Sequence, residues 1–216
     1  MEKGKWILGV LLAYGLAHGS AGAMTYGFEN ITLNGQPNVA DQLTVSVTDA
    51  GNGQVSFQFF NDGPYDATIT EIYFDDGTLL GIASIVNGSG VSFDTGDQNG
   101  VNPGDLPGGE NLLPAFEARD IFSTEASGNT SAGMDTGETL TILFELLADQ
   151  EYADTIAAIE DGSLRIGLHV RSIGPDGISD SFVNLGTLPV PDAASSIILM
   201  GLALLGIEGI RRKSRN

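Results

Sequence analysis

Five side chains that carry hard oxygen ligands lie in the longest irregular stretch of the sequence, DTGDQNGVNPGDLPGGEN, residues 94–111. They are Asp94, Asp97, Asn99, Asn102 and Asp105. Ca²⁺ binds such carboxylate and amide oxygens, and a loop of this length in a compact domain is usually functional or disordered. The spacing differs from an EF-hand, because Val101 stands where that loop needs a ligand. We predict no cofactor, with Ca²⁺ here as the one candidate and a solvated, glycine-rich loop as the alternative.

Side chains suited to acid–base or nucleophilic catalysis are few. The sequence has no cysteine and two histidines, of which only His169 lies beyond residue 23. His169 stands between Leu168 and Val170, so we expect it on the outward face of a strand, as a surface histidine. Nothing in the sequence places a serine and an aspartate around it, as a Ser-His-Asp triad requires. The protein is therefore predicted not to be an enzyme.

Acidic residues dominate the middle of the chain. Between residues 24 and 189 there are 25 Asp and Glu residues, and the basic residues there are Arg119, Arg165 and Arg171. A surface with this balance repels the phosphate backbone of nucleic acids and attracts cations. Nucleic acid is therefore not expected as a partner.

Apolar and polar residues alternate with a period of two in several windows between residues 24 and 188, which is the pattern of half-buried strands. The windows predict strands at 28–33, 43–48, 55–59, 68–74, 79–86, 140–146, 164–170 and 181–185. Turn signals such as Gly51-Asn52-Gly53 separate them. The predicted fold is all-β: an antiparallel, immunoglobulin-like sandwich of about eight or nine strands.

One short helix is predicted at residues 151–161. Tyr152, Ile156 and Ile159 would share one face of it. Asp149 can cap its start and Gly162 can end it.

Residues 1–23 have the features of a secretory signal peptide. Lys3 and Lys5 give a positive start, and an apolar run of residues 6–17 follows. Ala21 and Ala23 are the small residues that a signal peptidase recognises, which predicts cleavage before Met24. The acidic sandwich domain would then occupy residues 24–188.

Residues 189–216 form a tail with three parts in a fixed order. A short motif opens it: Val190, Pro191, Asp192 and Ala193. Residues 194–210 are apolar except for Glu208, and their length is at the lower limit for a transmembrane helix. A basic cluster closes it: Arg211, Arg212, Lys213 and Arg215. The positive-inside rule keeps this cluster in the cytoplasm, so the acidic domain would lie outside.

The signal peptide, the acidic domain and this three-part tail together resemble PEP-CTERM sorting proteins, although the usual Val-Pro-Glu-Pro motif is Val-Pro-Asp-Ala here. The resemblance covers about the last 27 residues. It implies a Gram-negative-type bacterium and processing by an exosortase, an intramembrane transpeptidase-like enzyme of bacteria that make extracellular polysaccharide. It also implies passage through the cytoplasmic membrane by residues 194–210, and then location at the cell surface or in the extracellular matrix.

We therefore expect an exported, non-enzymatic surface or matrix protein whose partners are signal peptidase, an exosortase and the membrane, with extracellular polysaccharide as a further candidate. A calcium- or carbohydrate-binding secreted module is one alternative. A secreted hydrolase is the other, although the sequence singles out no acid–base pair for it.

Overall fold

The computed structural model describes residues 22–75, 79–96, 105–127, 130–184 and 190–191. These ranges contain one α-helix, α1 (Tyr152–Asp161), and thirteen strands. The strands are β1 (Met24–Gly27), β2 (Glu29–Asn30), β3 (Leu43–Gly51), β4 (Gln54–Asn61), β5 (Thr68–Asp75), β6 (Leu79–Asn87), β7 (Phe93–Thr95), β8 (Ala118–Ala126), β9 (Met134–Asp135), β10 (Thr139–Leu146), β11 (Arg165–Ile173), β12 (Ile178–Val183) and β13 (Val190–Pro191).

The strands form two antiparallel sheets. The first sheet has the order β13-β1-β3-β4-β10-β6, and the second has the order β2-β12-β11-β5-β8-β7, with β9 pairing to β5. The prediction of an all-β fold with one short helix is thus confirmed for the described residues.

The two sheets share one hydrophobic core. An aromatic cluster joins them: Phe57 and Phe144 of the first sheet have ring centroids 5.0 and 4.5 Å from that of Phe74 in the second. The rings meet edge to face, the geometry that aromatic pairs prefer. All three side chains are fully buried, so this cluster lies in the core between the two sheets.

Five strands lie outside the predicted windows (β1, β7, β8, β9 and β13), and one window gives a much shorter strand than predicted. The window at 28–33 yields only the short β2, because the side-chain Oδ1 of Asn30 accepts the backbone N–H groups of Thr32 and Leu33 at 3.0 and 2.8 Å and turns the chain. Strand β8 was not predicted, since Phe122 is followed by buried Ser123 and Thr124 and no alternation results.

The helix ends as predicted and begins within one residue of the predicted start, but a different residue caps it. Gly162 adopts the left-handed conformation after the last turn, with φ of 79°. The predicted cap Asp149 is wrong, because the helix begins after Glu151. Glu151 and Asp154 form a reciprocal capping box, in which the backbone N–H of Glu151 donates to Oδ2 of Asp154 at 2.7 Å. Two free backbone donors are satisfied in this way.

A strap of residues 105–117 covers part of the outer face of the second sheet. Leu106 and Phe116 of the strap pack on Tyr73 and Val183, forming a second, smaller hydrophobic cluster. Gly167 pairs with both Tyr73 and Val183 and lies directly beneath the strap. The second sheet is therefore buried on both faces where the strap crosses it.

We expect Gly167→Val to destabilise the protein by about 1–3 kcal/mol, the usual cost of overpacking. A Cβ at Gly167 would lie 2.7 Å from Cδ2 of Leu106 and 3.1 Å from Cζ of Phe116, so the strap would have to move. Urea unfolding followed by circular dichroism measures the loss. The matched control is Gly81→Val in β6, where a Cβ meets no atom within 4 Å. Equal stability of the two variants would contradict close packing of the strap.

Candidate functional site

A polar cluster lies on the outer face of the second sheet, next to the strap. It consists of Glu71 and Tyr73 on β5, His169 and Arg171 on β11, and Ser179 on β12. Side chains two residues apart lie on the same face of a strand. Glu71 and Tyr73 therefore share one face of β5, and His169 and Arg171 share one face of β11. Glu71 stands directly opposite His169 in the strand register.

An irregular register brings Ser179 into the cluster. Between β11 and β12, Val170 pairs with Asp180 and Ile173 with Ile178, so two residues of β11 face the single residue Ser179. This is a β-bulge, a feature that re-aims side chains and recurs beside active sites. Ser172 within the bulge has φ of 56°, a left-handed conformation uncommon for a residue other than glycine.

His169 is held between a carboxylate and a hydroxyl. Its Nδ1 lies 2.5 Å from Oε2 of Glu71, and its Nε2 lies 2.6 Å from Oγ of Ser179. A carboxylate only accepts hydrogen bonds, so Nδ1 carries a proton toward Glu71. In the neutral imidazole, Nε2 then carries the lone pair and accepts the hydroxyl of Ser179.

Glu71 receives three side-chain donors. Besides His169, the hydroxyl of Tyr73 donates to Oε2 at 2.8 Å and Nη2 of Arg171 donates to Oε1 at 2.9 Å. Burial alone would raise the pKa of Glu71. The hydrogen bond and charge of His169, with the contacts from Tyr73 and Arg171, outweigh burial and lower that pKa. Glu71 is thus held as a buried carboxylate.

The charge of Glu71 affects its neighbours across the sheet. Burial and then the Glu71 carboxylate raise the pKa of the Tyr73 phenol. Glu125 on β8 stands directly opposite Glu71. Burial and the same charge raise the pKa of Glu125, although Arg171 opposes this shift. The pKa values of the two facing carboxyl groups are therefore shifted in opposite directions, downward for Glu71 and upward for Glu125.

Arg165 joins the strap to the sheet. Its guanidinium pairs with Asp75 on β5, and it donates to the carbonyl oxygens of Pro114 at 2.7 Å and Ala115 at 2.6 Å. The guanidinium carbon also lies 5.3 Å from the ring centroid of Phe116. Arg165 is buried, so a single side chain holds the end of the strap by charge, hydrogen bonds and ring contact.

The predicted calcium ligands fall only partly within the described residues. Oδ2 of Asp94 on β7 accepts a hydrogen bond from Oγ of Ser127 at 2.7 Å, and Asp105 is exposed at the start of the strap. Asp97, Asn99 and Asn102 lie outside the described ranges. Within those ranges, no group of three or more His, Cys, Asp and Glu side chains is placed to hold a metal ion.

The residues predicted for export and sorting also fall mostly outside. Val190 and Pro191 form β13, where they pair with Thr25 and Met24 of β1, and Ala23 directly precedes β1. The others are not described: Ala21, Asp192, Ala193, the apolar segment 194–210, Arg211, Arg212, Lys213 and Arg215. In the part of the chain that is described, no helix has the length and hydropathy to cross a bilayer.

The polar cluster was not predicted, because alternation in the sequence indicates only which face of a sheet a side chain lies on. His169 faces outward as predicted, but it is only 9 % exposed, so the expectation of a surface histidine is wrong. One signal was present: Glu71 interrupts the apolar window TITEIYF, an uncommon place for a carboxylate. No comparable signal marked Ser179.

The chain matches no protein-family model, no curated protein and no solved structure.

Proposed function

We propose that the protein is exported and delivered to the cell surface or extracellular matrix by an exosortase-type tail. The observation that carries the proposal is the order of features in residues 190–216: a Val-Pro-Asp motif, an apolar segment of membrane-spanning length and a basic end. On this proposal signal peptidase removes residues 1–23, and residues 194–210 hold the chain in the cytoplasmic membrane until an exosortase processes it.

The position of β13 supports a role for the motif outside the core of the domain. Among the described residues, Val190 and Pro191 form the outermost strand of the first sheet and pair with the four-residue strand β1. An edge strand of two residues has few hydrogen bonds to lose. A processing enzyme can therefore take up the motif without opening the sandwich.

The exported domain is proposed to serve as a stable, anionic surface or matrix module with an immunoglobulin-like sandwich. Two antiparallel sheets that share one core support that architecture. Each sheet orders six strands side by side. The usual immunoglobulin domain has seven to nine strands in total, which is three to five in each sheet. The excess of acidic residues favours solubility and favours cationic or uncharged partners over anionic ones. Extracellular polysaccharide is a candidate partner.

The alternatives differ in their support. Nothing in the described residues favours a calcium- or carbohydrate-binding module: Asp94 is engaged with Ser127, Asp105 is exposed, and Asp97, Asn99 and Asn102 are not described. A secreted hydrolase gains a specific observation, the contact between Ser179 and His169.

Deleting residues 190–216 is expected to abolish retention in the membrane and the proteolytic step that follows. The test uses a reporter inserted after residue 23 in an exosortase-bearing host, with fractionation and the mass of the mature chain as readouts. Replacing Val190, Pro191 and Asp192 with alanine should give a different result, a membrane-held chain that keeps its tail. The proposal fails when the deletion variant fractionates like the full chain and has the same processing.

A further inference from the structure

Ser179, His169 and Glu71 form a continuous hydrogen-bonded chain that joins β12, β11 and β5. The two contacts are 2.6 Å from Oγ of Ser179 to Nε2 of His169 and 2.5 Å from Nδ1 of His169 to Oε2 of Glu71. A hydroxyl, an imidazole and a carboxylate joined through opposite ring nitrogens are the groups that activate a serine nucleophile. We propose that this chain is a hydrolytic site for acyl esters, with Ser179 as nucleophile and His169 as general base.

Burial decreases along the hydrogen-bonded series from Glu71 through His169 to Ser179, which is the order that such a site needs. Glu71 is 5 % exposed and His169 is 9 % exposed, whereas Ser179 is half-buried. Ser179 is the second residue of β12 and follows an exposed turn at residues 175–177. The base and the residue that orients it are therefore shielded from water, while the hydroxyl lies near the surface.

The backbone around the site fixes its geometry. The bulge opposite Ser179 contains the left-handed Ser172, and a second register shift lies between His169 and Val170 on the β5 side. The hydroxyl of Thr70 donates to the carbonyl oxygen of His169 at 3.2 Å within this second irregularity. Strained backbone beside a polar cluster is characteristic of functional sites.

Arg171 supplies the positive charge that an oxyanion requires. It lies in the bulge that faces Ser179, and one of its N–H groups donates to Glu71. Its side chain is 42 % exposed, so its other N–H groups can face solvent on the same face of the sheet. A preplaced guanidinium stabilises charge that develops on a carbonyl oxygen.

The reaction consumes one ester and one water. Oγ of Ser179 bonds to the carbonyl carbon and its proton passes to Nε2 of His169. The bond between the carbonyl carbon and the alkoxy oxygen then breaks, and that oxygen leaves as an alcohol with the proton from Nε2. Water attacks the acyl-serine and gives a proton to Nε2, and Oγ of Ser179 departs with that proton as the carboxylic acid is released.

The surroundings select the class of ester. Residues 24–189 carry 25 acidic and three basic residues, so anionic substrates are repelled. A hydroxyl on a sheet face, beside a surface turn, can reach a small acyl group that projects from a larger molecule. The substrate class is therefore a short-chain acyl ester of an uncharged alcohol, for which an acetyl ester is the simplest representative.

Labelling of the full-length protein with a fluorophosphonate, followed by peptide mass spectrometry, tests the nucleophile. We expect the label on Ser179 and hydrolysis of p-nitrophenyl acetate that falls about a thousandfold in Ser179→Ala. Ser56→Ala is the matched control, since Ser56 on β4 is also half-buried in a strand, and it should label and hydrolyse like the unaltered protein. A label elsewhere, no label, or full activity in a folded Ser179→Ala variant overturns the proposal.

Glu71 acts as a positioning residue, and a spectroscopic readout separates that role from a structural one. The ¹⁵N chemical shifts of the imidazole should show Nδ1 protonated in the unaltered protein and in Ser179→Ala. Glu71→Gln should lose this fixed tautomer. An unchanged imidazole signature in Glu71→Gln would contradict positioning by the carboxylate. These measurements use purified protein, so their outcome is independent of whether the tail directs sorting.

Discussion

Arg165→Met is expected to lower the free energy of unfolding by about 3 kcal/mol, the lower part of the range for breaking a buried ion pair. The substitution keeps an unbranched side chain of similar length but removes the charge. Asp75 then loses its cation, and the carbonyl groups of Pro114 and Ala115 lose their donors. The loss stays near the lower limit because Pro114 and Ala115 are exposed and water can replace the guanidinium there.

Two further variants show whether the loss of stability comes from the several N–H donors of the buried, planar guanidinium of Arg165. Arg171→Met lies on the same strand and face, but its side chain is 42 % exposed, so a loss of about 1 kcal/mol or less is expected. Arg165→Lys keeps the charge without the planar fork and should recover only part of the stability. Urea unfolding of all three variants makes the comparison. Equal losses for Arg165→Met and Arg171→Met would show that Arg165 does not hold the strap.

Local sequence patterns predicted the parts of the fold that depend on local physics. Val45 and Val47 alternate with polar residues in β3, and burial of alternate residues follows directly from the geometry of a strand. The end of α1 at Gly162 was predicted for the same kind of reason, because glycine readily adopts the left-handed conformation. The residue that caps its start was not predicted, since Glu151 and Asp154 form the capping box in place of Asp149.

The strap and the polar cluster depend on contacts between distant residues. Leu106 and Phe116 are scattered among glycines and prolines, so no period revealed that they cover Tyr73. Glu71 and His169 are 98 positions apart, and the contact of His169 with Ser179 depends on a bulge. The extra residue of a bulge changes which face of the sheet the neighbouring side chains occupy. Alternation in the sequence does not reveal where a bulge lies or which side chains it brings into contact.

Glu71→Gln is expected to cost about 1.5–3 kcal/mol at neutral pH, because it removes the buried carboxylate that accepts hydrogen bonds from both His169 and Arg171. The amide has nearly the same shape, so little of the loss comes from packing. The variant therefore measures the contribution of one charge on the outer face of the second sheet.

The pH dependence gives this prediction its sign. Burial raises the pKa of Glu71, but His169, Tyr73 and Arg171 outweigh it, so the folded pKa lies below the unfolded value near 4.5. Stability from the carboxylate is then fully present above that unfolded value and disappears as the pH falls through the folded pKa. The difference in unfolding free energy between the unaltered protein and Glu71→Gln should be constant at neutral pH and shrink in acid.

Glu125→Gln is the matched control, because Glu125 faces Glu71 across β5 and β8 and its pKa is shifted the other way. A carboxyl group whose pKa rises on folding destabilises the folded state when it is ionised. Removing that charge should therefore leave stability at neutral pH unchanged or increase it. Urea unfolding of both variants between pH 3 and 7 makes the test. Parallel stability curves for the unaltered protein and Glu71→Gln down to pH 3 would mean that the Glu71 carboxylate is not held ionised by His169 and Arg171.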